Sequence, residues 1–236
     1  MTRVLIVIPA YNEANTVGGV IGEIRGVLAE RPDLATEILV VDDASSDETR
    51  KHSLDAAVPV VSLPVNLGIG GAMQTGYRFA RDHEFDIAVQ IDGDGQHDAA
   101  DILKLIDTLE AGGLDMVIGS RFVEGAPHYK PSFARKLGML FSQALLYMGT
   151  GKRVYDTTSG FRAVNRPLIE LFARNYPQSF AGVVPLVLAS RKGYRFLEIP
   201  ASFKYRAHGA SSINFFKSAF YPIQISLAII GVLIRR

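Results

Sequence analysis

Five short apolar runs in the first half of the chain alternate with stretches of helical character, and that alternation leaves few folds open. The runs are Val4–Ile8, Glu37–Val41, Val58–Leu63, Asp86–Ile91 and Met116–Gly119. Each is bounded by turn residues and reads as a buried strand. Between them fall a helix capped at Asn15 or Thr16 and running to Glu30, a short one over Asp47 to Asp55, one opening at Asn66 and reaching His83, and one over Asp101 to Ala111. The last places Ile102, Leu105, Ile106 and Leu109 on one face. Strand–helix alternation of this kind predicts an α/β domain: a mostly parallel sheet, right-handed crossovers and helices on both faces. Ligands of such sheets sit beyond the carboxyl ends of the strands.

The carboxylates gather at those ends. Glu13 follows the first strand, Asp42 and Asp43 end the second, and Asp92-Gly-Asp94-Gly-Gln96 follows the fourth. Residues two apart at a strand end can point the same way, so Asp92, Asp94 and Gln96 can converge. Hard oxygen donors around glycines suit Mg²⁺ or Mn²⁺ held partly by protein and partly by a substrate's phosphates. An ordinary turn rich in Asp and Gly fits the same letters. Asn66-Leu-Gly-Ile-Gly-Gly71 has the form of a phosphate cradle at a helix start, but lacks a P-loop ending and reads equally as close backbone packing.

Charge divides the chain. Residues 1–118 hold 8 Lys/Arg against 20 Asp/Glu, and residues 119–236 hold 17 against 4, which leaves the net charge at only +1. An acidic half can hold a cation; a basic half can face phosphates or an anionic membrane. The near-neutral total argues against nucleic acid as a partner. Without cysteine, disulfides and thiolate metal sites are excluded. The N-terminus has no signal-peptide pattern. In the second half, Phe133 to Met148 reads as a helix, either lying on a membrane or packed in a core. Helices are also predicted over Pro167–Arg174 and Pro185–Ser190, and a strand over Tyr194–Ile199; Asp156–Arg162 reads as a polar loop and Lys204–Ile213 as a basic one. The charge-free stretch Ser218–Ile234, 17 residues, would be roughly 25 Å long as a helix. It is expected to contact a membrane, lying at the interface or beginning a transmembrane segment, with packing on the domain as the other choice.

The order of motifs is more specific than any one of them. Ile8-Pro-Ala-Tyr-Asn-Glu13, Val41-Asp-Asp-Ala-Ser-Ser-Asp-Glu-Thr49, Asn66 to Ala72, Asp92 to Gln96, Gly119-Ser-Arg-Phe122 and Thr158-Ser-Gly-Phe-Arg162 together resemble the family 2 glycosyltransferases. The likeness is greatest to the dolichol-phosphate mannose synthase-like branch, with its bacterial polyprenyl-phosphate glycosyltransferases, and covers residues 3 to 215. It implies a GT-A (Rossmann-like) fold and inverting transfer from a nucleotide sugar, of the GDP-mannose or UDP-glucose type, assisted by Mg²⁺ or Mn²⁺. By position, it places Pro9, Tyr11, Glu13 and Asp42 on the nucleotide, Asp92 beside the nucleotide sugar, Asp94 and Gln96 on the metal, and Arg121 and Arg206 on phosphate groups. Arg135 and Ser159 fall on the acceptor side, and Asp92, Asp94 and Arg121 form the catalytic set.

One departure from the family matters. Many relatives carry an acid before the helix near Pro185, where Phe180 to Leu188 here has none. A hydroxyl acceptor usually needs a general base, whereas a phosphate is already an oxyanion; Asp156 is the nearest spare carboxylate in the motifs. Tryptophan is absent, which excludes the Gln-x-x-Arg-Trp signature of processive members and implies transfer of single sugars. The expectation is a GT-A catalytic domain over residues 1–212, with a nucleotide-sugar half (1–118) and an acceptor half (119–212), followed by the apolar segment 213–236. It would act at the cytoplasmic face of a membrane on a lipid phosphate, as a monomer or an oligomer. Transfer to a sugar hydroxyl of a glycolipid or polysaccharide precursor, a nucleotide-binding regulatory subunit and, by fold analogy, a sugar nucleotidyltransferase are the competing readings.

Overall fold

The computed structural model describes residues 1–127, 133–204, 225–232 and 234, with side chains described outside 133–135. In chain order the elements are β1 (Arg3–Ala10), α1 (Val17–Leu28), β2 (Ala35–Asp42), α2 (Thr49–Asp55), β3 (Val60–Ser62), α3 (Gly68–Asp82), β4 (Ile87–Gln90), α4 (Asp101–Ala111), β5 (Met116–Ser120), α5 (Phe133–Thr150), β6 (Arg162–Asn165), α6 (Arg166–Arg174), α7 (Val184–Arg191) and β7 (Phe196–Pro200). The strands form one sheet in the order β3-β2-β1-β4-β6-β5-β7. All pairings are parallel except those of β6, which runs antiparallel to both β4 and β5.

Alternation along the strands splits the core into two layers. Val4, Ile6 and Ile8 of β1, with Val40, Val89, Val117 and Ala163, pack under α1 and α4 through Ile21, Ile24, Ile102, Leu105 and Ile106. Leu5, Val7, Leu39, Val41, Ala88, Ile118 and Val164 face the other way, onto Met73 and Tyr77 of α3, Leu168 and Phe172 of α6, and Leu186 and Val187 of α7. Burying both faces is why the first-half strands read as unbroken apolar runs.

The expected α/β sheet is present; the polar loop expected over Asp156–Arg162 ends instead in a strand. β6 is four residues long and begins with a buried arginine, so neither an apolar run nor a legible alternation announces it. It inserts between β4 and β5, so strands from the acidic and basic halves interleave in one sheet. Asn165 turns β6 directly into α6: its Oδ1 accepts the Leu168 N–H at 3.2 Å, and its Nδ2 donates to Asp115 Oδ1 at 2.9 Å. Asn165→Ala should cost about 1–2 kcal/mol, read as a lower urea midpoint at unchanged slope.

The α5 helix packs one face into the core, as one of the two readings had it, and leaves apolar side chains exposed on another. Met139, Ser142 and Leu146 are buried, while Leu137, Leu140, Tyr147 and Met148 are exposed. Most of the apolar C-terminal segment lies outside the described residues. Residues 225–232 are helical, with Ile225 and Ile229 buried against the core and Leu227 and Ile230 exposed. Among the described residues no helix is long and apolar enough to cross a membrane.

Candidate active site

The carboxyl ends of β1, β2 and β4 bring the expected acidic residues to one edge. The loops after β1 and β2 are laced together. Asn12, at φ 57°, donates its N–H to Ser45 Oγ (3.0 Å) and accepts from Ser46 N (2.9 Å). Glu13 N donates to Thr49 Oγ1 (2.8 Å), and Ala14 N to Asp47 Oδ2 (3.1 Å). Pro9 and Asp42 are buried and Tyr11 is exposed. Asp42 Oδ1 accepts Ser45 N at 3.0 Å. Asp43 has a separate job: its Oδ1 accepts Leu67 N at 2.7 Å, tying β2 to the start of α3. Burial pushes the Asp43 carboxyl above its usual range, against the pull of the Leu67 and Gly68 N–H groups.

The loop after β1 also reaches the β4 loop, through Thr16, which Glu13 holds. The Glu13 carbonyl caps α1 through Thr16 N and Val17 N, and the Thr16 hydroxyl donates to Gly93 O at 2.7 Å. Asp92 and Asp94 are both partly exposed at this edge. Gln90, buried at the end of β4, donates to Asp92 Oδ1 at 3.2 Å. Asp94 Oδ1 accepts the Gln96 N–H at 3.0 Å, closing the Asp-Gly-Gln turn. Gln96 Nε2 donates to Lys204 O at 3.4 Å.

His97 is a residue the sequence did not single out. It is buried, stacked on Phe161 with centroids 4.9 Å apart, and met edge-on by Phe203 at 5.0 Å. Its Nδ1 accepts the Asp92 N–H at 3.1 Å, which leaves the proton on Nε2, 3.9 Å from Asp92 Oδ2. Burial lowers its pKa, against the pull of Asp92 and Asp94. The ring therefore braces the Asp92 backbone as a neutral group. An Asp–Gly-rich turn followed by histidine was its only sequence signal.

The Thr158–Arg162 loop closes over Asp92. A Cβ on Gly160 would lie 2.6 Å from Gln90 Nε2 and 3.1 Å from Asp92 Oδ1, so only glycine fits there. Ser159, expected on the acceptor side, is buried; its hydroxyl donates to Gly119 O (2.6 Å) and accepts Phe161 N (3.2 Å). Those bonds assign it to shaping the loop.

Arg121, expected on a phosphate, shares its guanidinium with protein. Its Nε and one terminal nitrogen donate to the two oxygens of Asp156 at 2.7 and 2.8 Å, and the same terminal nitrogen reaches Thr158 Oγ1 at 2.8 Å. Its Cζ lies 4.8 Å from the Phe203 ring centroid. Asp156 is fully buried, so it is not the spare carboxylate the motifs offered. Burial alone would push its pKa up; the Arg121 hydrogen bonds and charge outweigh this and hold it below the usual carboxylate range. Glu198 of β7 fixes the same turn by accepting Tyr155 N (2.6 Å) and Asp156 N (2.7 Å). The Arg135 side chain and Arg206 lie outside the described residues.

The site thus has an acidic, loop-laced side on β1 and β2, oxygen donors after β4, and an arginine–carboxylate lock beyond them. A family model described as Glycosyl transferase family 2 matches residues 5–172. An undecaprenyl-phosphate mannosyltransferase of Micrococcus luteus is 30% identical over 224 residues, 90% of this chain and 88% of that one. A polyprenol monophosphomannose synthase of Mycolicibacterium smegmatis is 28% identical over 225 residues, 90% and 81% of the two chains. Among solved structures, glucosyl-3-phosphoglycerate synthase from Mycobacterium tuberculosis, in complex with Mn²⁺ and UDP-glucose, superposes with a TM-score of 0.70 over 98% of this chain and 79% of that one, at 19% identity. That likeness concerns the fold. The protein is a glycosyltransferase, and the chain belongs to glycosyl transferase family 2.

Proposed function

We propose that this enzyme transfers a single sugar from a nucleotide sugar to a polyprenyl phosphate, with inversion at the anomeric carbon and with Mg²⁺ or Mn²⁺ bound. The observation that carries the acceptor is that the first turn of α7 holds no acid, while three of the four acids of the second half are engaged by other protein groups. The second half has four acids, Glu124, Asp156, Glu170 and Glu198. Asp156 is locked to Arg121, Glu170 pairs with Arg166 and Arg174, and Glu198 is spent on two backbone N–H groups. Glu124 stands exposed in the loop after β5. The first turn of α7 holds no acid. An acceptor that arrives as an oxyanion needs none. The similar proteins of Micrococcus luteus and Mycolicibacterium smegmatis, named for undecaprenyl phosphate and polyprenol, support this choice.

The donor set fits a hard cation. Asp94 presents a carboxylate fixed by the Gln96 N–H, and Gln96 an amide oxygen. Among the described residues no group of three His, Cys, Asp or Glu could hold a metal alone, consistent with a site completed by a diphosphate. A divalent ion there would neutralise charge developing on the departing diphosphate. The protein's own part is positional. Asp42, Tyr11 and Glu13 would take the nucleoside on the β1–β2 side. Asp92, held by Gln90, His97 and Gly160, would fix the sugar. A phosphate oxygen of the acceptor would attack the anomeric carbon as the bond to the diphosphate breaks. The exposed apolar residues of α5 supply a surface suited to the lipid side of the acceptor.

A labelled nucleotide-sugar panel, offered polyprenyl phosphate or a glycolipid hydroxyl with Mn²⁺ or Mg²⁺, tests this reading. Label should appear on the phosphate lipid; label on the hydroxyl acceptor alone overturns it. Gly160→Ala should lower turnover about 10²-fold, because a shift of the Asp92 carboxylate of order 1 Å misplaces the sugar. Steady-state kinetics with circular dichroism as a folding control checks it.

A further inference from the structure

Arg162 is the largest fully buried side chain among the described residues. It opens β6 directly opposite Gln90. No carboxylate among the described residues pairs with it; its terminal nitrogens donate to two successive carbonyls, Ala181 O at 3.4 Å and Gly182 O at 2.5 Å. Its Nε has no partner among the described residues. A buried cation without a counter-ion is costly, and an apolar side chain of similar volume is the cheaper filling. Such a residue works for its neighbours.

Those neighbours are the residues that lead into α7. A peptide unit is planar and trans, so its N–H points opposite to its C=O. Two successive carbonyls drawn onto one guanidinium turn the N–H groups of Gly182 and Val183 away from it. Neither N–H is taken by a hydrogen bond among the described residues. The same turn is pressed against Thr157: a Cβ on Gly182 would lie 2.7 Å from Thr157 O. Thr157 Oγ1 is the second buried side-chain atom without a partner among the described residues. The residues that carry the two orphaned atoms, Arg162 and Thr157, therefore both border this one turn. Sheet order gives its place in the reaction. From the nucleoside side on β2 and β1, through β4, the next strand is β6, and being antiparallel it brings its first residue to the edge that carries Asp92.

We propose that Arg162 is a positioning residue that aligns Ala181 and Gly182 so that the Gly182 and Val183 N–H groups cradle a phosphate oxygen of the acceptor. This rests on the acceptor reading given above. Such a pair of backbone donors ahead of a helix suits an oxyanion and stands where an acid would otherwise act as base.

The test uses the full chain with Arg162→Lys, Arg162→Met and Gly182→Ala. KM for polyprenyl phosphate and for nucleotide sugar are compared with the Kd of the nucleoside diphosphate in Mn²⁺. Lysine keeps the charge but lacks the planar fork that holds two carbonyls at a fixed spacing. Arg162→Lys and Gly182→Ala are each expected to raise the acceptor KM about tenfold while nucleoside diphosphate affinity stays within about twofold. Equal changes in both, or in neither, overturn the assignment. Hydrogen exchange provides a readout independent of the acceptor's identity. Residues 180–184 should exchange faster in Arg162→Lys while residues 92–98 do not, and unchanged exchange at 180–184 overturns the positioning role. If the wild type ignores polyprenyl phosphate, the acceptor reading fails and exchange alone decides whether Arg162 positions the turn.

Discussion

Asp94→Ala is expected to lower turnover about 10²–10³-fold, the cost of removing one group that stabilises charge developing in the transition state, while the protein stays folded. Asp94 is partly exposed, and its Oδ1 accepts the Gln96 N–H. Losing that bond costs about 1 kcal/mol, a shift of roughly 2–4 °C in melting temperature for a chain of this size. The variant should also bind nucleoside diphosphate no better with Mn²⁺ than without it, whereas the wild type should bind better with the ion. Turnover within about threefold of wild type, or undiminished Mn²⁺-dependent binding, would remove Asp94 from the metal site.

Asp156→Asn should have the largest effect on stability. Asp156 is fully buried and receives two guanidinium bonds and the Arg121 N–H. Removing the charge strands Arg121, whose side chain is only 11% exposed, and should cost about 3–5 kcal/mol. That corresponds to a drop of about 10 °C or more in melting temperature. The pH dependence has a definite sign. Asp156 titrates below its usual range in the folded chain. Its contribution is therefore fully present above the unfolded carboxylate pKa of about 4 and is lost as pH falls through the folded value. The gap between wild type and Asp156→Asn, followed by thermal melts, should be constant from neutral pH to about pH 5 and shrink below it. A gap that stays constant down to about pH 2 would mean that the stabilisation does not come from the ionised carboxylate.

The parts of this molecule that could be read from its letters are those with local causes. Val4–Ile8 and Glu37–Val41 are buried on both faces, so each announces itself as a run. The Ile102–Leu109 stripe of α4 announces itself by its period. The acids came out at the predicted edge because a strand end must stop being apolar where it meets water. What escaped has causes far away in the chain. Arg162-Ala-Val-Asn165 is a strand only because β4 and β5 offer it two edges, some 70 and 45 residues earlier. Nothing near Asp156 says that Arg121 will claim it, 35 positions away. Gly160 owes its identity to Gln90 and Asp92, and His97 its burial to Phe161 and Phe203. Motif order singled out Arg121, but its partner Asp156 decides how much of its charge a ligand can use.

The insertion of β6 has a consequence for how the chain is made. β5 pairs only with β6 and β7 among the strands of the sheet, and both come later in the sequence. A nascent chain that has just released residue 120 from the ribosome therefore carries a finished strand with no place in any sheet, beside a β4 whose outer edge lies open. Neither edge is covered until residues 162–165 emerge, and β5 is flanked on both sides only after residue 200. Open apolar edges are templates for wrong pairing. A chain cut after residue 118 is therefore expected to aggregate, and synthesis of the whole chain passes through a window in which a chaperone has something definite to hold.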